Sequence, residues 1–123
     1  MPLNKIGNLI IPVTDLERSR KFYCETLGMK QVGSVPGEFA FLDAGGMTLA
    51  LRETDNTVVK CGCEYSFQVE DINAAYQELS AKGVHFSQKP RMVTGDAKRQ
   101  LFATDFRDPD GHILSINGWV VKG

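Results

Sequence analysis

Long apolar runs are missing from this chain: none approaches the ~20 residues a helix needs to cross a bilayer, so a membrane-spanning role is not expected. A basic excess is missing too. The 14 Lys and Arg residues stand against 15 Asp and Glu, for a formal net charge of −1, whereas proteins that grip phosphate backbones display surplus positive charge. Nucleic acid is therefore not an expected partner. Cysteine is sparse, with Cys24, Cys61 and Cys63 as the three thiols. The opening Met1-Pro2-Leu3-Asn4-Lys5 lacks the basic start and apolar stretch of an export signal. An odd number of cysteines in such a chain does not read as a disulfide framework, and a cytoplasmic location is expected. Cys61-Gly62-Cys63 has no further Cys or His at finger-like spacing, so these read as ordinary thiols at a loop-to-strand junction. The two histidines, His85 and His112, stand in no H-x-x-x-H arrangement, and each reads as a surface or turn residue.

The 123 residues, 42% of them hydrophobic, suffice for one domain with a core. Within it one pattern occurs twice. Ile6–Val13 is β-branched and apolar and reads as a strand. Thr14 with Glu17 three residues on resembles a capping box, and Leu16, Ser19, Phe22, Tyr23 and Leu27 follow at helical spacing up to Gly28. Two strands, Gln31–Ser34 and Glu38–Asp43, come next, and Gly45-Gly46 joins the second to Met47–Glu53. After the polar joint Thr54–Lys60 the pattern restarts. Tyr65, Phe67 and Val69 alternate with polar residues as a half-buried strand. Asp71 then caps a helix carrying Ile72, Ala75, Tyr76 and Leu79, which Gly83 ends. Val84–Ser87, Gln100–Phe106 and Ile113–Asn117 read as three further strands, with a turn at Asp108-Pro109-Asp110-Gly111. Val13-x-Asp15-Leu16 matches Val69-x-Asp71-Ile72 at an offset of 56 residues. The expected fold is therefore α+β: two tandem βαβββ modules, residues 4–55 and 61–119, in one domain over 1–123.

These residues resemble a known family. Val13-Thr14-Asp15-Leu16-Glu17-Arg18-Ser19-Arg20-Lys21-Phe22-Tyr23 with Leu27-Gly28-Met29 is similar to the opening signature of the vicinal oxygen chelate superfamily. That superfamily includes glyoxalase I, bleomycin-resistance proteins, extradiol dioxygenases, fosfomycin-resistance enzymes and methylmalonyl-CoA epimerase. Phe106-Arg107-Asp108-Pro109-Asp110-Gly111 resembles its signature before the last strand. The resemblance implies modules that form a cupped mixed sheet with helices outside, and pairing of modules within a chain or across a homodimer. It does not imply one activity.

Enzymes of the superfamily hold a divalent metal on His and Glu side chains and use it as a Lewis acid. By register, the four ligand positions fall here on Asn8, Ala50, Glu64 and Ser115. Only Glu64 is a strong ligand, while zinc and transition metals want imidazole, thiolate or several carboxylates. No bound metal and no cofactor are expected.

The cup that the resemblance implies would still have a lining. If Gly45-Gly46 is the whole hairpin loop, Asp43 faces Thr48, Leu42 faces Leu49, Phe41 faces Ala50, Ala40 faces Leu51 and Phe39 faces Arg52. Ala40, Leu42, Leu49 and Leu51 then share an aliphatic face suited to packing under helices. Phe39, Phe41, Ala50 and Arg52 share the other, with Asn8, Ile10 and Pro12 beside them. Glu64, Ser66, Gln68, Ser115 and Asn117 come from the second module, and Trp119 stands just past its last strand. A surface apolar on one side and hydrogen-bonding on the other suits a small molecule. Phe39 and Phe41 read either as stacking surface for a ligand or as filling for the barrel or a dimer contact. Arg52 reads as a partner for an anion or as part of a surface ion pair. Glu64 reads as a desolvated general base, a counter-charge for a cation, or a paired carboxylate. The expected function is metal-free binding of a planar or aromatic small molecule by a homodimer. The alternative is a divergent glyoxalase- or epimerase-type enzyme that relies on Glu64.

Overall fold

Asp15 and Asp71 start the two helices in the same way. In the computed structural model, which describes residues 1–55 and 64–123, each aspartate has extended backbone and accepts a hydrogen bond from the N–H three residues on, Arg18 and Ala74 respectively, at 3.0 Å. This satisfies one of the N–H groups a helix start leaves without a partner. The chain divides into two compact units, Met1–Val59 and Lys60–Gly123, with the same element order in both. Cys61 and Cys63 lie outside the described residues.

The first unit runs β1 (Asn8–Val13), α1 (Leu16–Lys21), β2 (Gln31–Val35), β3 (Phe39–Asp43) and β4 (Thr48–Glu53). Its mixed sheet has the order β1-β4-β3-β2, with β1 parallel to β4 and the other pairs antiparallel. The hairpin has the register that the Gly-Gly turn predicts, from Asp43 opposite Thr48 to Phe39 opposite Arg52. Gly45 and Gly46 have φ of 70° and 100°, a left-handed conformation that side chains resist. Ala40, Leu42, Leu49 and Leu51 are buried on the face that α1 covers.

Three local expectations for this unit are corrected. The strand begins at Asn8 and not at Ile6, which is 61% exposed. Thr14 is not the cap: Asp15 is, Thr14 accepts from the Arg18 guanidinium, and Glu17 pairs with Arg20 at 2.7 Å. The N–H of Leu16 goes instead to Glu53, at the end of β4. The α-helix stops at Lys21 and gives way to a π-helical turn over Phe22–Thr26, in which Leu27 N–H reaches Phe22 O at 2.9 Å. That turn carries the fully buried Tyr23. Gly28, with φ of 80°, then ends the segment as its position predicts.

The second unit runs β5 (Tyr65–Gln68), α2 (Ile72–Ala81), β6 (Arg91–Gly95), β7 (Arg99–Arg107) and β8 (Ile113–Val121), with sheet order β5-β8-β7-β6. Val84–Ser87 is not a strand. Val84 N–H bonds back to Leu79 O and closes the end of α2. The Phe86 ring packs between Tyr76 and Phe106, with centroids 4.9 and 5.3 Å away. The strand that hairpins with β7 is Arg91–Gly95, whose residues are all exposed; without a buried face it shows no alternation to read. The last strand extends to Val121, so Trp119 lies within β8 and not beyond it. Gly118 brings β8 against the start of α2: a Cβ there would meet Val69 O at 3.0 Å and Ile72 Cβ at 3.1 Å.

Candidate functional site

Each unit presents a sheet face opposite to its helix, and the candidate residues lie on these two faces. In the first unit, alternation and register set Asn8, Ile10 and Pro12 of β1 beside Thr48, Ala50 and Arg52 of β4, and these beside Asp43, Phe41 and Phe39 of β3. Phe39 and Phe41 are half-buried, and their rings stack with centroids 5.4 Å apart and planes 10° apart. That separation lies within the range of favourable aromatic pairs. Gly33 of β2 pairs with Phe41, and a Cβ there would touch that ring at 3.6 Å. Ile10 is 49% exposed beside the pair, while Ala50, between Ile10 and Phe41, is only 1% exposed. Ala50 therefore forms a closed floor between Ile10 and Phe41. Asn8 and Arg52 are exposed at opposite ends of the face.

In the second unit Ser66 pairs with Ser115 and Gln68 with Asn117 across β5 and β8. Asn117 donates its amide to Ser66 Oγ at 2.6 Å, so these two orient each other. Ser115 is buried and Gln68 exposed. Trp119 carries the guanidinium of Arg99 over its ring at 3.8 Å, a cation–π contact that covers one face of the indole. Arg99 is a residue that sequence reasoning missed. Its diagonal placement depends on β8 continuing past Asn117, so that Val121 opposes Arg99. Glu64 is exposed, one residue ahead of β5, which does not match the desolvated-base alternative among its three readings. His85 is exposed, and His112 is buried in the turn where its N–H donates to Asp108 Oδ1 at 2.8 Å.

The donors at the four register positions do not fit a divalent transition metal. The first unit supplies the amide of Asn8 and the methyl of Ala50; the second supplies the exposed carboxylate of Glu64 and the hydroxyl of Ser115. Among the described residues no three His, Cys, Asp or Glu side chains gather into a cluster that could hold a metal. Burial pushes the Cys24 thiol up, against the pull of Arg20, which suppresses the thiolate a nucleophile needs.

A model of the Glyoxalase/Bleomycin resistance protein/Dioxygenase superfamily matches residues 5–116. The uncharacterized protein YraH of Bacillus subtilis is 30% identical, over 91% of this chain and 96% of its own. A superfamily member from Sphaerobacter thermophilus superposes with a TM-score of 0.76 at 26% identity, covering 94% of this chain and 98% of that one. Lactoylglutathione lyase from Agrobacterium tumefaciens superposes equally well, at 0.76, with 16% identity and 96% of each chain covered. At that identity the likeness is one of fold.

Proposed function

This chain belongs to the Glyoxalase/Bleomycin resistance protein/Dioxygenase superfamily, and from that membership we propose that it binds a planar, partly aromatic small molecule without the help of a metal ion. The observation that carries this reading is the Phe39–Phe41 stack, half-exposed on the face of the first sheet that α1 does not cover. Two parallel rings with Ile10 beside them form an apolar surface on which a flat ligand gains area burial and offset stacking together. The residues at the metal positions support the metal-free part, since three of the four lack a charged donor or imidazole. The competing reading, a divergent glyoxalase- or epimerase-type enzyme using Glu64, has less behind it, because that carboxylate stands in solvent. The proposal includes a homodimer in the cytoplasm. The dimer rests on family resemblance and on exposed apolar side chains such as Ile10; sedimentation at micromolar concentration giving 13.6 kDa would count against it.

The test of binding is a fluorescence titration with phenylnaphthylamine, a neutral planar dye. Phe41→Ala is expected to weaken binding about tenfold or more, since stacking alone contributes about 0.5–1.5 kcal/mol beyond area. No binding by the wild type, or equal binding by the variant, overturns the proposal.

A further inference from the structure

Arg52 stands next to the aromatic pair, directly opposite Phe39 on β3 and Pro12 on β1. Its guanidinium is exposed, and its neighbours on that face, Pro12, Phe39 and Ala50, are all neutral. Of the carboxylates near it, Glu38 before Phe39 and Asp55 three residues on form no ion pair with it, and others are engaged elsewhere. Glu53 points to the opposite face and accepts from Leu16 N–H at 3.0 Å. Asp43 shares the face but accepts from Gly45 N–H at its far end, four residues from Phe39 and so roughly 13 Å along the strand. Asp15 caps α1, and Glu17 holds Arg20. Residues 56–63, which follow β4 and its outlet, contain no Asp or Glu. Among the described residues no ion pair or side-chain hydrogen bond occupies Arg52.

The face therefore has a polarity: an aromatic surface bounded at the Phe39 end by a cation that no ion pair holds among the described residues. We infer that the planar ligand carries an anionic group, a carboxylate, sulfonate or the like, which Arg52 receives while its ring system lies on Phe39 and Phe41. This rests on the binding function proposed above and narrows it to aromatic anions. The chemistry suits the residue. A guanidinium presents a planar fork of donors to an oxyanion, is weakly hydrated for a cation, and stays charged at any working pH. An apolar neighbour lowers the local dielectric and strengthens the contact relative to a guanidinium surrounded by water.

The experiment compares two dyes with one ring system, anilinonaphthalene sulfonate and the neutral phenylnaphthylamine, on the intact chain. Wild type is expected to bind the sulfonate about tenfold more tightly than the neutral dye. Arg52→Met should remove that preference and leave the neutral dye's affinity unchanged. Arg52→Glu should reverse it, Phe41→Ala should weaken both dyes, and Arg99→Met should change neither. Because Arg52 is exposed, its variants are expected to melt with the wild type, which circular dichroism checks. Equal affinity for the two dyes overturns the inference, as does a loss shared by both dyes in Arg52→Met or a preference that follows Arg99. In those cases the aromatic surface stands, provided the neutral dye remains sensitive to Phe41→Ala. If neither dye binds, the binding function itself falls and takes the inference with it.

Discussion

Phe41 and Leu42 are adjacent in the chain and point to opposite faces of one strand: Leu42 is fully buried under α1, while the Phe41 ring lies half-exposed, stacked on Phe39. One residue therefore serves the core and its neighbour serves the surface. Leu42→Ala is expected to cost about 2–5 kcal/mol of stability through lost transfer energy and the cavity left behind. Phenylnaphthylamine binding by the folded fraction should be preserved. Phe41→Ala should show the converse, with a small stability change and weakened binding. Urea unfolding beside dye titration on both variants separates the two roles, and a Leu42→Ala protein that melts with the wild type would contradict the assignment of faces.

Protein dialysed after purification is expected to hold no stoichiometric zinc, nickel or manganese. The amide of Asn8, the methyl of Ala50 and the hydroxyl of Ser115 do not replace imidazole and carboxylate ligands. Elemental analysis measures this directly. Isomerisation of the methylglyoxal hemithioacetal should be absent with or without added metal; activity lost to chelator and restored by one ion would refute the prediction.

Gly118→Ala should destabilise the second unit by about 1–3 kcal/mol, the usual cost of forcing atoms into a packed interior. The new methyl would press on Val69 O at 3.0 Å and Ile72 Cβ at 3.1 Å, both held by the start of α2. Gly33→Ala provides the contrast, since its methyl would make ordinary contact with Phe41 at 3.6 Å. Chemical denaturation of the two variants in parallel decides the matter.

Asp96 in the β6–β7 turn accepts from the backbone N–H groups of Lys98 and Arg99 at 2.8 and 3.0 Å. These bonds, first that of Lys98, hold its carboxyl below the ordinary value of 3.8. A depressed folded-state pKa means the stabilisation is present above the unfolded value and is lost as pH falls through the folded one. A carboxyl-detected NMR titration should find the Asp96 midpoint below 3.8. In Asp96→Ala the acid limb of the stability curve should flatten; a midpoint at or above the ordinary value would show that the turn bonds do not favour the anion.

Local chemistry made much of the fold legible. The turn at Gly45-Gly46 requires positive φ at two successive residues, which fixes every pair from Asp43–Thr48 to Phe39–Arg52 and hence which residues share a face. Asp71 and Gly83 bound α2 because a cap and a left-handed stop act within a few residues. The repeated Val-x-Asp motif disclosed the duplication on the same grounds. The aromatic pair and Arg52 were likewise readable as candidates, since two-residue periodicity alone sets them on one side.

Contacts between distant segments decided the rest. Leu16 N–H bonds to Glu53 across 37 positions, so the α1 start is shaped by a strand end that no local motif reveals. Arg91–Gly95 is exposed throughout and becomes a strand because β7 offers it a ladder, a pairing energy absent from its own pattern. The Arg99 guanidinium reaches Trp119 only because β8 continues to Val121. Ser66 and Asn117, 51 positions apart, satisfy each other, and Glu64 is left in solvent. Periodicity assigns a side chain to a face, but its burial and its partner depend on what other segments bring there. Sequence by itself therefore determined the repeat, the turns and the faces of this protein, while tertiary structure decided which polar groups on those faces were already engaged and which, like Arg52, were left open.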